Sequence, residues 1–96
     1  DDPPARVVAV SAIARPAGFA RSLSHAGVEV ASHMTFRDHH RYDARDVERM
    51  AQRAAREEAG LVTTEKDWVK LRRLGVPGRV WVARLDVSLI GAPLPA

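Results

Sequence analysis

Val7-Val8-Ala9-Val10-Ser11-Ala12-Ile13 is the stretch that decides the fold, because it is an almost uninterrupted apolar run. A strand with one solvent-facing side alternates between apolar and polar residues, whereas a strand covered on both sides does not. The run is also far shorter than the roughly 18 apolar residues of a membrane-spanning helix. Residues 7–13 therefore predict a central strand of a parallel sheet.

A helix and a second strand are predicted directly after this run. Pro16 suits a first helical turn, Phe19 and Leu23 share one helical face, and Gly27 is expected to end the helix. The second strand begins at Val28 and alternates along its length, so one of its faces is partly polar, as in an edge strand. The alternating residues are Val28, Val30, Ser32, Met34 and Phe36 against Glu29, Ala31, His33 and Thr35.

The second helix is predicted from its cap. Asp43 is a suitable N-cap, and Asp46 stands three positions later, as in a capping box. Gly60 is expected to end this helix, and the apolar segment 61–63 then forms a short buried strand. The stripe of the helix that faces the sheet consists of Val47, Met50, Ala51 and Ala54.

The third helix is predicted to begin at Thr64, a cap residue with Asp67 three positions later. Trp68 and Leu71 are expected to pack inward from this helix. The last strand, residues 80–85, contributes Trp81 to the core. The turn that separates the helix from this strand contains Gly75, Pro77 and Gly78.

Strands and helices thus alternate in the order β-α-β-α-β-α-β, which is typical of an α/β fold with right-handed crossovers. We expect three layers, with a mostly parallel four-stranded sheet in the order 2-1-3-4 and helices on both of its faces. Residues 1–5 are expected to be a linker, residues 6–87 a single α/β domain and residues 88–96 an irregular tail.

Composition excludes several classes of protein. The chain has 96 residues, enough for one hydrophobic core and too few for two. It has no cysteine, which excludes disulfide frameworks and thiolate metal sites. Its 15 Lys and Arg and 12 Asp and Glu are spread along the chain, so no nucleic-acid partner is expected. The N-terminal residues lack the basic and apolar regions of a signal peptide, and a cytoplasmic location is expected.

Polar segments follow three of the predicted strands. Arg15 follows the first strand, residues 37–42 follow the second, and residues 63–67 follow the third. Ligands of open parallel sheets bind beyond the carboxyl ends of the strands, so we expect one site at this edge. The opposite edge receives short turns at Gly27 and Gly60, which carry no comparable groups.

The densest group of candidate residues is Asp38-His39-His40. An Asp beside a His can orient the imidazole and stabilise its protonated form, which makes a general base near neutral pH. His39 and His40 are adjacent, so we expect only one of them to take part in the chemistry. The residues alone do not say which one. The segment could also simply close a strand-to-helix loop. A metal site is less favoured, because no third ligand stands at a recognisable spacing.

The segment that begins at Thr64 has both a structural and a functional interpretation. Thr64 and Asp67 cap a helix, but Lys66 is a cation at a helix N-terminus and could serve a ligand or a carboxylate. The helix N-terminus could also hold an anion, and Arg15 could pair with a carboxylate or phosphate. No G-x-x-x-x-G-K-[ST] loop occurs, so this chain cannot grip a triphosphate in that manner by itself.

Three segments together resemble the C-terminal part of the tetraacyldisaccharide 4′-kinase family. They are residues 6–16, residues 36–42 with the sequence FRDHHRY, and residues 61–67 with the sequence LVTTEKD. The resemblance extends over residues 6–87. Two positions depart from the family pattern, since Ala12 stands where the family usually has Gly and Arg37 where it commonly has Pro.

The resemblance implies a kinase of lipid A biosynthesis that transfers the γ-phosphate of ATP to the 4′-hydroxyl of a tetraacyldisaccharide 1-phosphate at the cytoplasmic face of the inner membrane. An N-terminal P-loop lobe would hold ATP and Mg²⁺, so this chain alone is expected to be inactive and to bind no cofactor tightly. By the same resemblance His39 would activate the hydroxyl with support from Asp38. Contacts to substrate or nucleotide would come from Arg15, His40, Arg41, Thr64 and Lys66.

Two other classes of function stay open. A non-catalytic binding or regulatory domain of the same fold would share the patterning of the chain. A metal-dependent phosphoesterase of the DHH type is less favoured, because only Asp1 and Asp2 stand upstream of Asp38 as further acidic ligands. Metal-dependent phosphatase activity would favour the phosphoesterase, whereas kinase activity restored by a P-loop lobe would favour the kinase.

Overall fold

A computed structural model describes residues 4–83 and 89–91 of the chain. Within these residues five strands form one sheet: β1 (Arg6–Ser11), β2 (Glu29–Thr35), β3 (Gly60–Thr64), β4 (Val80–Ala83) and β5 (Leu89–Gly91). Their order across the sheet is β2-β1-β3-β4-β5, with β5 antiparallel to β4 and all other neighbours parallel. The predicted α/β class and the order 2-1-3-4 of the parallel strands are confirmed.

Helices cover both faces of the sheet, as predicted. The described ranges contain α1 (Pro16–His25), α2 (Ala44–Glu57) and α3 (Glu65–Leu71), and a 3₁₀ turn at Arg72–Leu74 continues α3. One face of the sheet packs against α1, and the other packs against α2 and α3. In the part of the chain that the structure describes, no helix has the length and apolar character needed to cross a bilayer.

The central strand β1 is buried on both sides, which explains why it shows no polar alternation. Val7 and Ala9 belong to the core on the α1 side, and Val8 and Val10 belong to the core on the α2 side; all four are at most 2% exposed. Trp81 is buried on the α1 side, as predicted. Trp68 packs against the other core and is only partly buried.

Two of the predicted helix caps are present. Asp46 N donates to Asp43 Oδ1 at 3.0 Å, and Asp43 N donates to Asp46 Oδ2 at 3.1 Å, which completes a capping box at the start of α2. At the start of α3, Asp67 N donates to the Thr64 hydroxyl at 3.0 Å. These caps fix the first turns of α2 and α3 beside the carboxyl ends of the strands.

The predicted end of α2 at Gly60 is wrong. The helix ends at Glu57, and Glu58 adopts the left-handed conformation with φ 52° and ψ 50°. Gly60 is instead the first residue of β3, where a Cβ atom would lie 2.6 Å from Cγ of Pro4. A close approach of the chain therefore requires this glycine, whereas Gly27, with φ 82°, follows α1 as predicted for a helix stop.

The sheet contains one strand more than predicted. β5 falls in the segment expected to be irregular, and it pairs Leu89 with Ala83 and Gly91 with Trp81. A strand of three residues is too short to show the two-residue alternation of a strand, so the sequence pattern could not predict it. β1 also ends at Ser11, before the predicted end at Ile13. The predicted extension of β4 to residue 85, and residues 92–96 of the tail, lie outside the described residues.

Candidate active site

The predicted site residues all lie at or after the carboxyl ends of parallel strands. Ser11 is paired with Thr35, and Val10 is paired with Thr63, so β1, β2 and β3 end side by side. The predicted placement at one edge of the sheet is confirmed. The roles of the residues stay predictions; those at this edge are Arg15, Asp38, His39, His40, Arg41, Thr64 and Lys66.

Asp38 connects the loop between β2 and α2 to the start of α3. Lys66 Nζ donates a hydrogen bond to Asp38 Oδ1 at 3.3 Å, and His39 Nε2 lies 3.8 Å from Asp38 Oδ2. Slight desolvation acts to raise the pKa of Asp38, but the hydrogen bond from Lys66 and the positive charges of His39 and Lys66 outweigh it and lower this pKa below its ordinary value. Asp38 is therefore a carboxylate at neutral pH.

The separation of Asp38 and His39 determines how they can interact. At 3.8 Å the two side chains are too far apart for a hydrogen bond but close enough for an ion pair when the imidazole is protonated. Asp38 can thus stabilise a proton on His39 by its charge, which is what a general base needs after it has accepted that proton.

His39 has a backbone conformation that is uncommon for a residue with a side chain. Its φ is 66°, in the left-handed region, which His tolerates better than most residues. A hydrogen bond of 2.9 Å from His40 N to Arg37 O closes this turn. The turn leaves 79% of the His39 side chain exposed, so the imidazole is free to meet a substrate.

His40 has different surroundings from its neighbour. Its Nε2 donates to Asp46 Oδ2 at 2.8 Å, and its ring stacks on Phe36 with centroids 4.7 Å apart. Tyr42 packs edge-on against the same ring at 5.2 Å. The two adjacent histidines therefore face different environments, as expected. Because its ring is packed and paired within the domain, His40 is poorly placed to contact a substrate.

Asp67 organises the edge of the sheet from inside. Its side chain is fully buried, and its carboxylate accepts hydrogen bonds from Ala12 N at 3.2 Å, from the Tyr42 hydroxyl at 3.0 Å and from the Thr64 hydroxyl at 2.6 Å. It therefore joins the end of β1, the loop before α2 and the start of α3. Burial raises the pKa of the Tyr42 phenol, and the charge of Asp67 raises it further, so this hydroxyl stays a donor.

Other predicted contact residues differ in whether their side chains already have partners within the domain. The Thr64 hydroxyl both accepts from Asp67 N and donates to the Asp67 carboxylate, so its bonding capacity is used within the domain. The side chains of Arg15 and Arg41 make no ion pair or hydrogen bond with any described residue, and both residues are exposed. They are therefore available to an anionic ligand.

A half-open cavity of about 450 Å³ lies beside Lys66, on the side of the sheet that α1 covers. Its walls combine apolar side chains with polar ones at the edge of the sheet, so it could accept part of an amphiphilic ligand. The residues that line it are Ile13, Phe19, Ser22, Thr64, Glu65, Lys66 and Ala83.

The described residues contain no group of three or more His, Cys, Asp or Glu side chains placed to hold a metal ion. Asp38, His39 and His40 do not converge on one point, since His40 is directed to Asp46. This part of the chain thus offers an exposed imidazole, a carboxylate and a lysine at one edge, which is suited to moving a proton and neutralising anionic charge.

Comparison with known proteins agrees with the motifs at this edge. The family model for tetraacyldisaccharide-1-P 4′-kinase matches residues 2–94. The chain belongs to this family. The tetraacyldisaccharide 4′-kinase of Anaeromyxobacter dehalogenans (strain 2CP-1) is 45% identical over 89 aligned positions, and the match covers 88% of this chain and 24% of that protein. The kinase of Phenylobacterium zucineum is 47% identical over 64 residues, 67% of this chain and 20% of that protein.

The similarity is limited to one part of the longer kinases. The chain spans about a quarter of the length of relatives such as the Anaeromyxobacter enzyme, and it corresponds to their C-terminal region. No solved structure matches the chain at a significant level. The family expected from residues 6–16, 36–42 and 61–67 is therefore confirmed.

Sequence reasoning missed two residues that shape the site. It treated Asp46 and Asp67 only as helix-capping residues, whereas each also binds a side chain of the loop before α2. The available signal was the presence of Tyr42 and Asp67 in two neighbouring polar segments. Their pairing depends on the fold, because 25 positions separate them in the chain.

Proposed function

We propose that this chain is the C-terminal lobe of a two-lobed tetraacyldisaccharide 4′-kinase and presents a general base to the sugar hydroxyl. The observation that carries the proposal is the group formed by Asp38, His39 and Lys66 at the carboxyl edge of the sheet, with the imidazole of His39 exposed. Two findings support the proposal that this chain is a lobe that works with another part of the enzyme. The chain belongs to the kinase family, and it spans only about a quarter of the length of the relatives that it matches.

The proposed reaction moves one proton and one phosphoryl group. His39 accepts the proton of the 4′-hydroxyl while that oxygen bonds to the γ-phosphorus of ATP, and the bond from phosphorus to the bridging oxygen breaks to release ADP. Asp38 stabilises the imidazolium through its charge. Lys66, Arg15 and Arg41 lie at the same edge and could neutralise phosphate oxygens.

ATP and Mg²⁺ are assigned to the other lobe. The chain has no phosphate-binding loop, and its described residues have no group of ligands that would hold a metal ion. The acylated disaccharide 1-phosphate would approach from a membrane surface, so we place the full enzyme at the cytoplasmic face of the inner membrane. Domain closure would then bring the phosphates to His39 and exclude water.

The test uses three variants of the two-lobed kinase that contains this chain. Replacing a general base typically costs about a hundredfold to ten-thousandfold, so His39→Ala should lower kcat by that amount with little change in the KM for ATP. Asp38→Asn should have a smaller effect, because the ring remains. His40→Ala should affect kcat least, because His40 is directed to Asp46.

Steady-state kinetics with ATP and the tetraacyldisaccharide 1-phosphate, measured beside the melting temperatures, decides between the histidines. Loss of kcat in His40→Ala but not in His39→Ala would move the role to the second histidine. Normal kcat in all three variants would show that residues 38–40 form only a structural loop.

A further inference from the structure

We propose that Asp67 is a positioning residue for the reaction, which acts through Tyr42 to hold the loop that carries Asp38 and His39. This inference rests on the proposed function, since it assigns Asp67 a task in that site. The fully buried Asp67 does not touch a substrate, so its effect must pass through the residues it binds.

Helix capping accounts for only one of the three hydrogen bonds that the carboxylate of Asp67 accepts. In the cap at the start of α3, Asp67 N donates to the Thr64 hydroxyl, and this hydroxyl donates in turn to Asp67 Oδ2 at 2.6 Å. Asp46 stands at the corresponding position of α2, and its carboxylate accepts a hydrogen bond from the backbone N of the cap residue, Asp43. The Asp67 carboxylate also accepts two hydrogen bonds from outside the cap, from Ala12 N and from the Tyr42 hydroxyl.

Burying a carboxylate is costly unless hydrogen bonds compensate it, so its presence here requires a reason. Three donors from three separate segments meet on Asp67, and each segment leads into the edge where the site lies. Removal of one donor would leave part of a buried charge uncompensated. The bonds therefore fix the relative positions of these segments as well as stabilising them.

The effect of Asp67 reaches the site through an aromatic cluster of Phe36, His40 and Tyr42. Phe36 stacks on His40 at 4.7 Å, and Tyr42 packs edge-on against Phe36 at 5.3 Å and against His40 at 5.2 Å. Phe36 and Tyr42 stand at the two ends of the loop, with Asp38 and His39 between them. The hydrogen bond from the Tyr42 hydroxyl to the buried Asp67 holds one end of the loop in place, while the turn at His39 is exposed.

The sharpest test is Tyr42→Phe in the two-lobed kinase, because it removes one hydroxyl and keeps the ring in the aromatic cluster. A small displacement of a catalytic group can cost up to about a hundredfold, so we expect kcat to fall by about tenfold while the KM for ATP changes by less than about twofold. Asp67→Asn should lower kcat in the same direction. Where Asp67→Asn fails to fold, Tyr42→Phe still tests the inference.

Two further measurements distinguish a positioning role of Tyr42 from a purely structural one. They use Tyr42→Phe in a His39→Ala enzyme and a control variant, Val28→Ala. In a His39→Ala enzyme, Tyr42→Phe should cause no further loss of kcat, because the group that it positions is already absent. The control is Val28→Ala, which shortens a buried side chain at the opposite edge of the sheet. It should lower the melting temperature as Tyr42→Phe does, yet leave kcat unchanged.

Hydrogen exchange supplies a readout that does not depend on activity. Amides of residues 37–41 should exchange faster in Tyr42→Phe than in Val28→Ala or the parent enzyme, because one end of the loop has lost its anchor. Unchanged exchange, together with unchanged kcat in Tyr42→Phe, overturns the inference.

The failures of the two proposals can be distinguished. Normal kcat in Tyr42→Phe beside a strong loss in His39→Ala overturns the inference and leaves the proposed function intact. A loss in Tyr42→Phe that persists in full in the His39→Ala background also overturns it, since Tyr42 would then act elsewhere. Normal kcat in His39→Ala overturns both.

Discussion

At the scale of single residues, His40 is expected to matter for stability rather than for catalysis. Its Nε2 contact to Asp46 and its stacking on Phe36 tie the loop to the start of α2. His40→Ala should therefore reduce the free energy of unfolding by about 2 to 4.5 kcal/mol, the sum of about 1.5 to 3 kcal/mol for a lost hydrogen bond to a charged group and about 0.5 to 1.5 kcal/mol for a lost ring contact. Thermal or urea unfolding of the two-lobed kinase measures this change.

His40→Phe is the matched control for that prediction. It keeps a ring that can stack on Phe36 and removes only the bond to Asp46, so it should recover part of the stability lost in His40→Ala. If His40→Ala unfolds at the temperature of the parent enzyme, the packing around His40 contributes nothing measurable.

The pairings around the site show which residue-level features a sequence can reveal. Asp38 and His39 are neighbours in the chain, so their charge coupling could be predicted directly. The bonds from Tyr42 to Asp67 and from Lys66 to Asp38 join residues that are 25 and 28 positions apart. Parallel topology predicted that these segments meet at one edge, but the choice of partners depends on side-chain directions that no local pattern records.

At the scale of secondary structure, the end of α2 offers a test of backbone strain. Glu58 occupies the left-handed conformation, which costs an ordinary residue about 1 to 2 kcal/mol relative to the right-handed one. Glu58→Gly should therefore raise the stability by about 0.5 to 1 kcal/mol, because glycine adopts this conformation freely but loses more entropy on folding. Differential scanning calorimetry of the kinase measures the shift in melting temperature.

Glu58→Ala removes the same charge while it keeps a Cβ atom in the left-handed conformation. It should not produce the gain expected of Glu58→Gly. Equal stabilisation by both substitutions would show that the charge of Glu58, and not its backbone conformation, was the source of the cost.

Helices and strands could be predicted from the sequence where the residues that determine them are close together in the chain. Caps at Asp43 and Thr64 and the apolar run at residues 7–13 each act within a few residues, and the structure has the corresponding elements. The end of α2 was misplaced because Gly60 has the residue type of a helix stop but serves the close approach of Pro4. β5 was missed because a segment of three residues is too short to show the period of a strand, although its partner residues in β4 lie only six to ten positions away.

At the scale of the whole molecule, the three layers explain how a chain that spans about a quarter of its relatives' length can be a folded unit. Cores on both faces of the sheet are closed by α1 on one side and by α2 and α3 on the other. The candidate site lies on top of this framework, at the edge of the sheet, and its exposed groups are Asp38, His39 and Lys66. The groups that we propose for the chemistry thus lie outside the two cores, and the buried residues Asp67 and Tyr42 link them to the fold.

This separation predicts that the isolated chain folds cooperatively and has no ATP-dependent kinase activity. Because a single sheet joins the apolar layers on its two faces, unfolding should be a single transition whose calorimetric and van't Hoff enthalpies agree. Phosphoryl transfer depends on positioning both reactants and neutralising charge, and this chain has no phosphate-binding loop with which to hold ATP. Phosphate transfer to the tetraacyldisaccharide 1-phosphate should therefore stay at background until a P-loop lobe is added. A chain that melts without a cooperative transition would refute the independent domain. Robust turnover by the chain alone would refute the division of the site between two lobes, because His39 and its neighbours would then have to bind ATP without help.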